Sequence, residues 1–244
     1  MKGIVLAGGT GSRLFPLTKI TNKHLLPVAK YPMIYYAIHH LVQANINDIL
    51  IVTGREHMGD VVNLLGSGWD FGVQFTYKVQ DQAGGIAQAL GLAEQFVQGD
   101  AMTVILGDNI FSTDLTQMVN KFEGTKKGAK ILLKEVPDPE RYGVPVFENG
   151  RIIRIEEKPK HPLSPYAVTG IYMYDSEVFN IIRTLIPSKR GELEITDVNN
   201  AYLFKGKLDY DILDGWWTDA GTHESLARAN ELAKDINLGH QFEH

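Results

Sequence analysis

The sequence predicts an α/β fold, a three-layer sandwich on a mixed, mostly parallel central sheet, and three observations carry that expectation. Short apolar runs alternate with helix-period segments through roughly the first 128 residues, which is the signature of strand–helix–strand units. Two of the apolar runs, ending at Ala7 and Leu106, feed directly into glycine-containing loops with charged side chains. From Ala129 onward the chain changes to short β-like stretches punctuated by Pro, Gly and Asn, which predicts a mixed or antiparallel portion of the same sheet.

The first element is the strand that ends in LAGGTGSRL. Gly8, Gly9 and Gly11 let the backbone turn sharply and bring successive N–H groups onto anionic oxygens. Arg13 can grip two oxygens through its planar fork, and Lys23, ten residues on, acts as a compact point charge. The loop therefore suits a triphosphate. It is not the G-x-x-x-x-G-K-[ST] phosphate loop, because no glycine here is followed by Lys and then Ser or Thr. Nor is it a dinucleotide fingerprint, because Leu14 stands where the third glycine would be.

Pro32 opens a helix that runs to about Ala44, with Ile34, Ile38, Leu41 and Val42 on one face. His39 and His40 are adjacent and diverge, so a packing role is expected for them in place of the i, i+4 pair that a helical metal site needs. A strand over Asp48–Thr53, a helix over Met58–Leu65 and a strand over Val73–Val79 follow. Gln80 leads through Gly84 and Gly85 into a helix from Ile86 to Phe96, whose N-terminal end can approach a flat base or a phosphate. The strand Met102–Leu106 then delivers Gly107, Asp108 and Asn109 to its carboxyl end, where ligands collect in open α/β sheets and where an acid can hold Mg²⁺.

In the second part, AKILLKEV, PDPERYGVPVF, ENGRIIRIEEKP and YAVTGIYMYD read as strands with their turns. GELEITDVNNAYLFKG reads as a helix after Gly191 and LDYDILDGWW as a strand entering a turn at Gly215. Thr222 is placed to cap a last helix, HESLARANELAKDI, and LGHQFEH reads as a frayed tail. The expected organisation is one domain with halves at about 1–128 and 129–236 and a tail over 237–244.

With 244 residues, 44% of them hydrophobic, the chain can bury one large core. No run approaches the ~20 apolar residues of a membrane span, and no leader-like segment opens it, so a soluble, cytoplasmic protein is expected with no membrane partner. The absence of cysteine excludes disulfides, thiolate metal sites and a cysteine nucleophile. A net charge of −5 with scattered Lys and Arg argues against nucleic acid as the main partner.

The two-part stretch LAGGTGSRLFPLT and KHLLPV resembles the signature of the sugar-1-phosphate nucleotidyltransferase family, L-x-G-G-x-G-[ST]-R-L, a spacer and K-x-x-x-P, with every fixed position present from Leu6 to Pro27. LGDNIF, RYGVPVF, EEKP, AVTGIYMYD, RGELEITDVN and WWTDAGTHESL follow in the order of the family's thymidylyltransferase subgroup, and KVQ before GGIAQAL strengthens that match. The resemblance implies a Rossmann-like fold with a smaller β-rich sugar-binding portion. It implies transfer of thymidylyl from dTTP to glucose 1-phosphate, with Mg²⁺ as cofactor, for dTDP-sugar synthesis of the rhamnose type, by a homo-oligomer, a dimer or tetramer.

Carried over residue by residue, the resemblance implies that Leu6, Gly8, Gly9, Thr10 and Gly11 bind nucleotide, with Gln80 and Gly85 at the pyrimidine. Arg13 and Lys23 would act at the phosphates. Asp108 and Asp219 would hold the metal. Tyr142, Gly143, Glu157, Lys158, Val168 and Thr169 would receive the sugar phosphate. Two readings compete: a UTP- or CTP-dependent transferase on a similar sugar phosphate, and a non-catalytic sugar-nucleotide sensor that keeps the fold. The chain departs from relatives at Pro145, expected to make its strand irregular, and at Ala220, where a Thr is common. It also ends one helix beyond Asp219, where longer relatives add a helical segment.

Overall fold

A computed structural model describes residues 1–243 of the chain. Strand β1 (Lys2–Ala7) is followed by a small hairpin, β2 (Pro27–Val28) and β3 (Tyr31–Pro32), then helix α1 (Met33–Gln43), β4 (Asp48–Gly54), α2 (Met58–Leu65) and β5 (Gln74–Gln80). Helices α3 (Ile86–Gly91) and α4 (Glu94–Val97) lead to β6 (Met102–Leu106), β7 (Asn109–Phe111) and α5 (Thr116–Thr125). Next come β8 (Ala129–Glu135), β9 (Gly143–Glu148), β10 (Arg151–Glu157) and β11 (Tyr166–Tyr174). The chain closes with α6 (Glu177–Ile182), α7 (Ile195–Phe204), β12 (Leu208–Ile212), β13 (Trp217–Asp219) and α8 (His223–Ala233).

Nine strands form one sheet in the order β10-β9-β11-β6-β1-β4-β5, with β8 and β12 branching from β11. The pairings make β1, β4, β5, β6, β8, β9 and β12 point one way and β10 and β11 the other. Side chains alternate across each strand, so Val5, Ala7, Ile49, Ile51 and Ile105 enter the core on one face, which α1 and α8 cover. Ile4, Leu6, Leu50, Val52 and Val104 enter a second core, which α3, α6 and α7 cover. Two cores on one sheet make the three layers the sequence predicts.

Several elements differ from their sequence-based expectation for identifiable reasons. The helix expected from Ile86 to Phe96 breaks into α3 and α4, because at Gly91 the backbone switches to tighter bonds from Leu92 N to Ala89 O and Ala93 N to Leu90 O. The helix expected soon after Gly191 starts only at Ile195, since Glu194 is extended and Leu193 exchanges backbone bonds with Gly84 and Ala87. The strand holding Pro145 runs unbroken from Gly143 to Glu148 with Pro145 in register opposite Ile155; the irregularity of that ladder lies in its partner β10, between Ile152 and Arg154. Thr222 caps α8 as expected, through a reciprocal pair with Ser225.

The tail over 237–244 is not frayed where it is described; residue 244 lies outside the described residues. Leu238 and Phe242 are buried, and the Phe242 ring meets Tyr35, Phe71 and His39 edge-on at 5.5, 5.1 and 5.5 Å. Aromatic residues in a polar context gave no periodic pattern to read. Phe242→Ala is expected to destabilise the fold by about 3 kcal/mol, read as a lower urea midpoint at unchanged slope. His39 and His40 have the packing role expected: His40 stacks on Phe111 at 3.8 Å, and burial, with His39 adding to it, pushes His40 down to about 3.

Candidate functional site

The sheet order decides where a ligand can sit. From β1 the chain moves to β4 and β5 on one side and later to β6 on the other, so the loops leaving β1 and β6 diverge and open a crevice beyond their carboxyl ends. A cleft of about 510 Å³ lies there, within the range of small-molecule sites. Leu6, Gly8, Gly9, Arg13, Lys23, Gln80, Gly85 and Asp108 line it, as do Tyr142, Gly143, Glu157, Lys158, Val168 and Asp219. Thr10, Gly11 and Thr169 do not. Thr10 is exposed, Gly11 accepts from Thr18 Oγ1 at 2.9 Å, and Thr169 is buried with its hydroxyl on Leu132 O at 2.8 Å. The Thr169 hydroxyl is thus committed to Leu132, whereas the backbone N–H contacts expected of the Gly8–Gly11 loop do not depend on side-chain placement.

Asp108 and Asp219 stand over a hundred residues apart, and a short two-stranded ladder joins them. β7 pairs with β13 so that Asn109 faces Asp219, and Ala220 N donates to Asp108 O at 2.7 Å. Asn109 fastens the junction: its Oδ1 accepts from Gly170 N at 2.9 Å and Trp217 Nε1 at 2.7 Å, and its Nδ2 donates to Asp108 Oδ1 at 3.0 Å. Neither short strand has enough apolar residues to be legible in sequence. The small side chain at Ala220 fits a fully buried position.

Around the aspartates the charges are matched. Lys23 Nζ lies 2.5 Å from Asp108 Oδ2. Burial works to raise the Asp108 carboxyl, but Lys23 and the hydrogen bonds it receives outweigh this and hold it well below the usual carboxylate range. Neighbouring His24 is pushed down to about 3 by burial, with Lys23 adding to it, so the imidazole stays neutral and Lys23 is the cation there. Asp219 accepts from Tyr142 Oη at 2.9 Å and from Arg141 Nη2 at 3.3 Å. Burial pushes the Tyr142 phenol up, and Asp219 pushes it further, so it remains a donor. Tyr142, expected at the sugar, thus has its hydroxyl committed to Asp219.

Gly221 marks where these groups converge. A Cβ built there would lie 3.1 Å from Asp219 Oδ2, 3.3 Å from Arg13 Nη2 and 3.6 Å from Asp108 Oδ2. Glycine leaves that point open.

Across the cleft, Glu157 at the end of β10 accepts from Thr196 Oγ1 at 2.6 Å. Lys158 adopts a left-handed backbone, φ 46°, with its N–H on Tyr142 O at 2.9 Å; that costly conformation for a non-glycine residue turns the chain out of the strand as it meets the cleft. Sequence reasoning missed Arg190, which lines the cleft and whose Nη2 donates to both Glu194 carboxylate oxygens, at 2.9 and 2.8 Å, and to Glu157 Oε1 at 3.3 Å. The signal was present in the alternating charges of RGELE. It also missed Arg141, and Gln88, which bonds Gln80. Among the described residues there is no cluster of three or more His, Cys, Asp or Glu side chains able to hold a metal, and no helix long and apolar enough to cross a membrane.

The nucleotidyl transferase family matches residues 2–236. The glucose-1-phosphate thymidylyltransferase of Neisseria meningitidis serogroup A is 45% identical over 240 residues, 97% of this chain and 83% of that protein. That of Mycolicibacterium smegmatis is 43% identical over 242 residues, 98% and 84% of the two chains. Among solved structures, a putative glucose-1-phosphate thymidylyltransferase from Bacillus anthracis in complex with a sucrose superposes with a TM-score of 0.96 at 67% identity, covering 99% of this chain and 98% of that one. A UDP-glucose pyrophosphorylase complexed with UDP-glucose gives 0.83 at 25% identity, with 94% and 97% covered.

Proposed function

Because this chain belongs to the nucleotidyl transferase family, we propose that it transfers thymidylyl from dTTP to glucose 1-phosphate, releasing pyrophosphate. The observation that carries the reading is the convergence of Arg13, Asp108 and Asp219 on one open point in a cleft also lined by Lys23, Lys158 and Arg190. The names of the relatives support dTTP and glucose 1-phosphate as the pair.

Two anions must meet, so repulsion is the main obstacle and alignment with charge neutralisation is the main task. A phosphate oxygen of glucose 1-phosphate attacks the α-phosphorus, the bond to the β-phosphate oxygen breaks, and its electron pair leaves with pyrophosphate. Lys158 and Arg190 would hold the sugar phosphate, and Glu157, oriented by Thr196, would accept from sugar hydroxyls. Arg13 would neutralise the charge that grows on the departing pyrophosphate. Lys23 would exchange its carboxylate partner for a phosphate oxygen.

The two carboxylates fit Mg²⁺: they are hard oxygen donors facing one open point, and Mg²⁺ is commonly held by one or two carboxylates together with water and substrate phosphates. Bound there, Mg²⁺ would draw negative charge from the triphosphate oxygens. Tyr142 and Arg141 would hold the Asp219 carboxylate in place through the bonds they donate to it.

A matrix of dTTP, UTP, dCTP, ATP and GTP against glucose 1-phosphate and galactose 1-phosphate tests the proposal, read as pyrophosphate release with Mg²⁺. The highest kcat/KM is expected for dTTP with glucose 1-phosphate. UTP, which lacks the 5-methyl group and adds a 2′-hydroxyl, should trail by at least the ~10-fold that one methyl group is worth. A preference for dCTP or a purine would overturn the base assignment, and binding of dTDP-glucose without turnover in either direction would favour the sensor.

A further inference from the structure

Gln80 is expected to meet the base, yet a free glutamine amide can present either a donor or an acceptor. Here the backbone decides which. Gly84 N–H can only donate, and it donates to Gln88 Oε1 at 3.1 Å, so the Gln88 oxygen faces the loop. The Gln80 amide lies 2.7 Å from that same oxygen. Only its NH₂ end can sit there, since an oxygen would be repelled. The second hydrogen of Gln80 Nε2 goes to Gly85 O at 3.3 Å. Both donors are thus used inside the protein, and Oε1 is left. That oxygen packs against Gly8, where a Cβ would collide with it, and both residues line the cleft.

The lock is rigidly mounted. Gln80 is 7% exposed. Gly84 O accepts from Leu193 N at 2.8 Å, and Leu193 O accepts from Ala87 N at 3.2 Å, so the loop carrying the reference N–H is clamped on its other side. Gln88 itself lies on α3, outside the cleft lining.

We propose that Gln88 is a positioning residue that fixes Gln80 as an acceptor, so that the cleft selects pyrimidines carrying a hydrogen on N3. Thymine and uracil offer that N–H to Gln80 Oε1. Cytosine presents a lone pair at N3 instead, and two acceptors would face each other with no rotamer of Gln80 able to relieve them. The lock does not read the 5-methyl group, so it separates thymine and uracil from cytosine and leaves the finer choice to apolar contact. This deepens the proposed function and rests on its placement of the base at Gln80.

The test is calorimetric binding of dTTP and dCTP to the full chain, with steady-state kinetics alongside. The wild-type chain should bind dTTP at least ~10-fold more tightly than dCTP. Gln88→Met keeps the bulk and removes the acceptor; the ratio should narrow by ~10-fold, with the loss falling on KM for dTTP and not on kcat. Gln88→Glu still accepts from both donors and should restore the wild-type ratio. Equal binding of the two nucleotides by the wild-type chain would overturn the lock, as would an unchanged ratio in Gln88→Met or a Gln88→Glu variant no more selective than Gln88→Met. Base selection in binding without pyrophosphate release would overturn the transfer reading and leave the lock standing. Transfer with a ratio indifferent to residue 88 would do the reverse.

Discussion

Asp108→Asn is expected to lower pyrophosphate release from dTTP and glucose 1-phosphate by about a thousandfold or more. The substitution preserves shape but removes the charge that Lys23 Nζ faces at 2.5 Å and one of the two hard oxygen donors at the point above Gly221. Both losses act on charge at the reacting phosphates, so kcat should fall far more than KM rises. An unpaired Lys23, only 13% exposed at its side chain, should also lower thermal stability. Pre-steady-state pyrophosphate release and a melting curve separate the two effects. Turnover at the wild-type rate in a folded Asp108→Asn chain would remove Asp108 from the chemistry.

Arg13→Ala is expected to cost about 10²- to 10³-fold in kcat, with little change in stability. Arg13 is an exposed residue on a single helical turn anchored by buried Leu14, so truncation leaves no cavity. Its guanidinium is the cation at the open point, 3.3 Å from where a Gly221 Cβ would be. Arg13→Lys should recover only part of the loss, because a point charge cannot fork across two phosphate oxygens. A wild-type kcat in Arg13→Ala would assign charge stabilisation to other groups, Lys23 first among them.

What could be read from the sequence followed how local its physics was. Strands such as Met102–Leu106 and the capped helix after Thr222 announce themselves within a few residues, because alternation, apolar runs and caps are properties of neighbours. The glycine loop with Arg13 was legible for the same reason. β7 and β13 were not, because each is three residues long and exists through its partner across the chain. The Tyr142–Asp219 bond was hidden likewise, as a relation between segments that only the folded sheet brings together, whereas Arg190 had a local signal in RGELE and Gln88 meets Gln80 across a single loop. The packed tail shows the converse error, since polarity in LGHQFEH masked two residues that fill a core.

Strand β11 has a consequence for how substrates enter. It pairs with β6, whose end delivers Asp108, and also with β8 and β9 on the side of the cleft lined by Glu157 and Lys158, Val168 meeting Gly143. One continuous strand is therefore built into the ladders of both walls, and a hinge between them would have to tear hydrogen bonds on two sides at once. With that frame continuous, any opening and closing is left to side chains and loops at the rim, where Arg190 lies against Glu157 and Glu194.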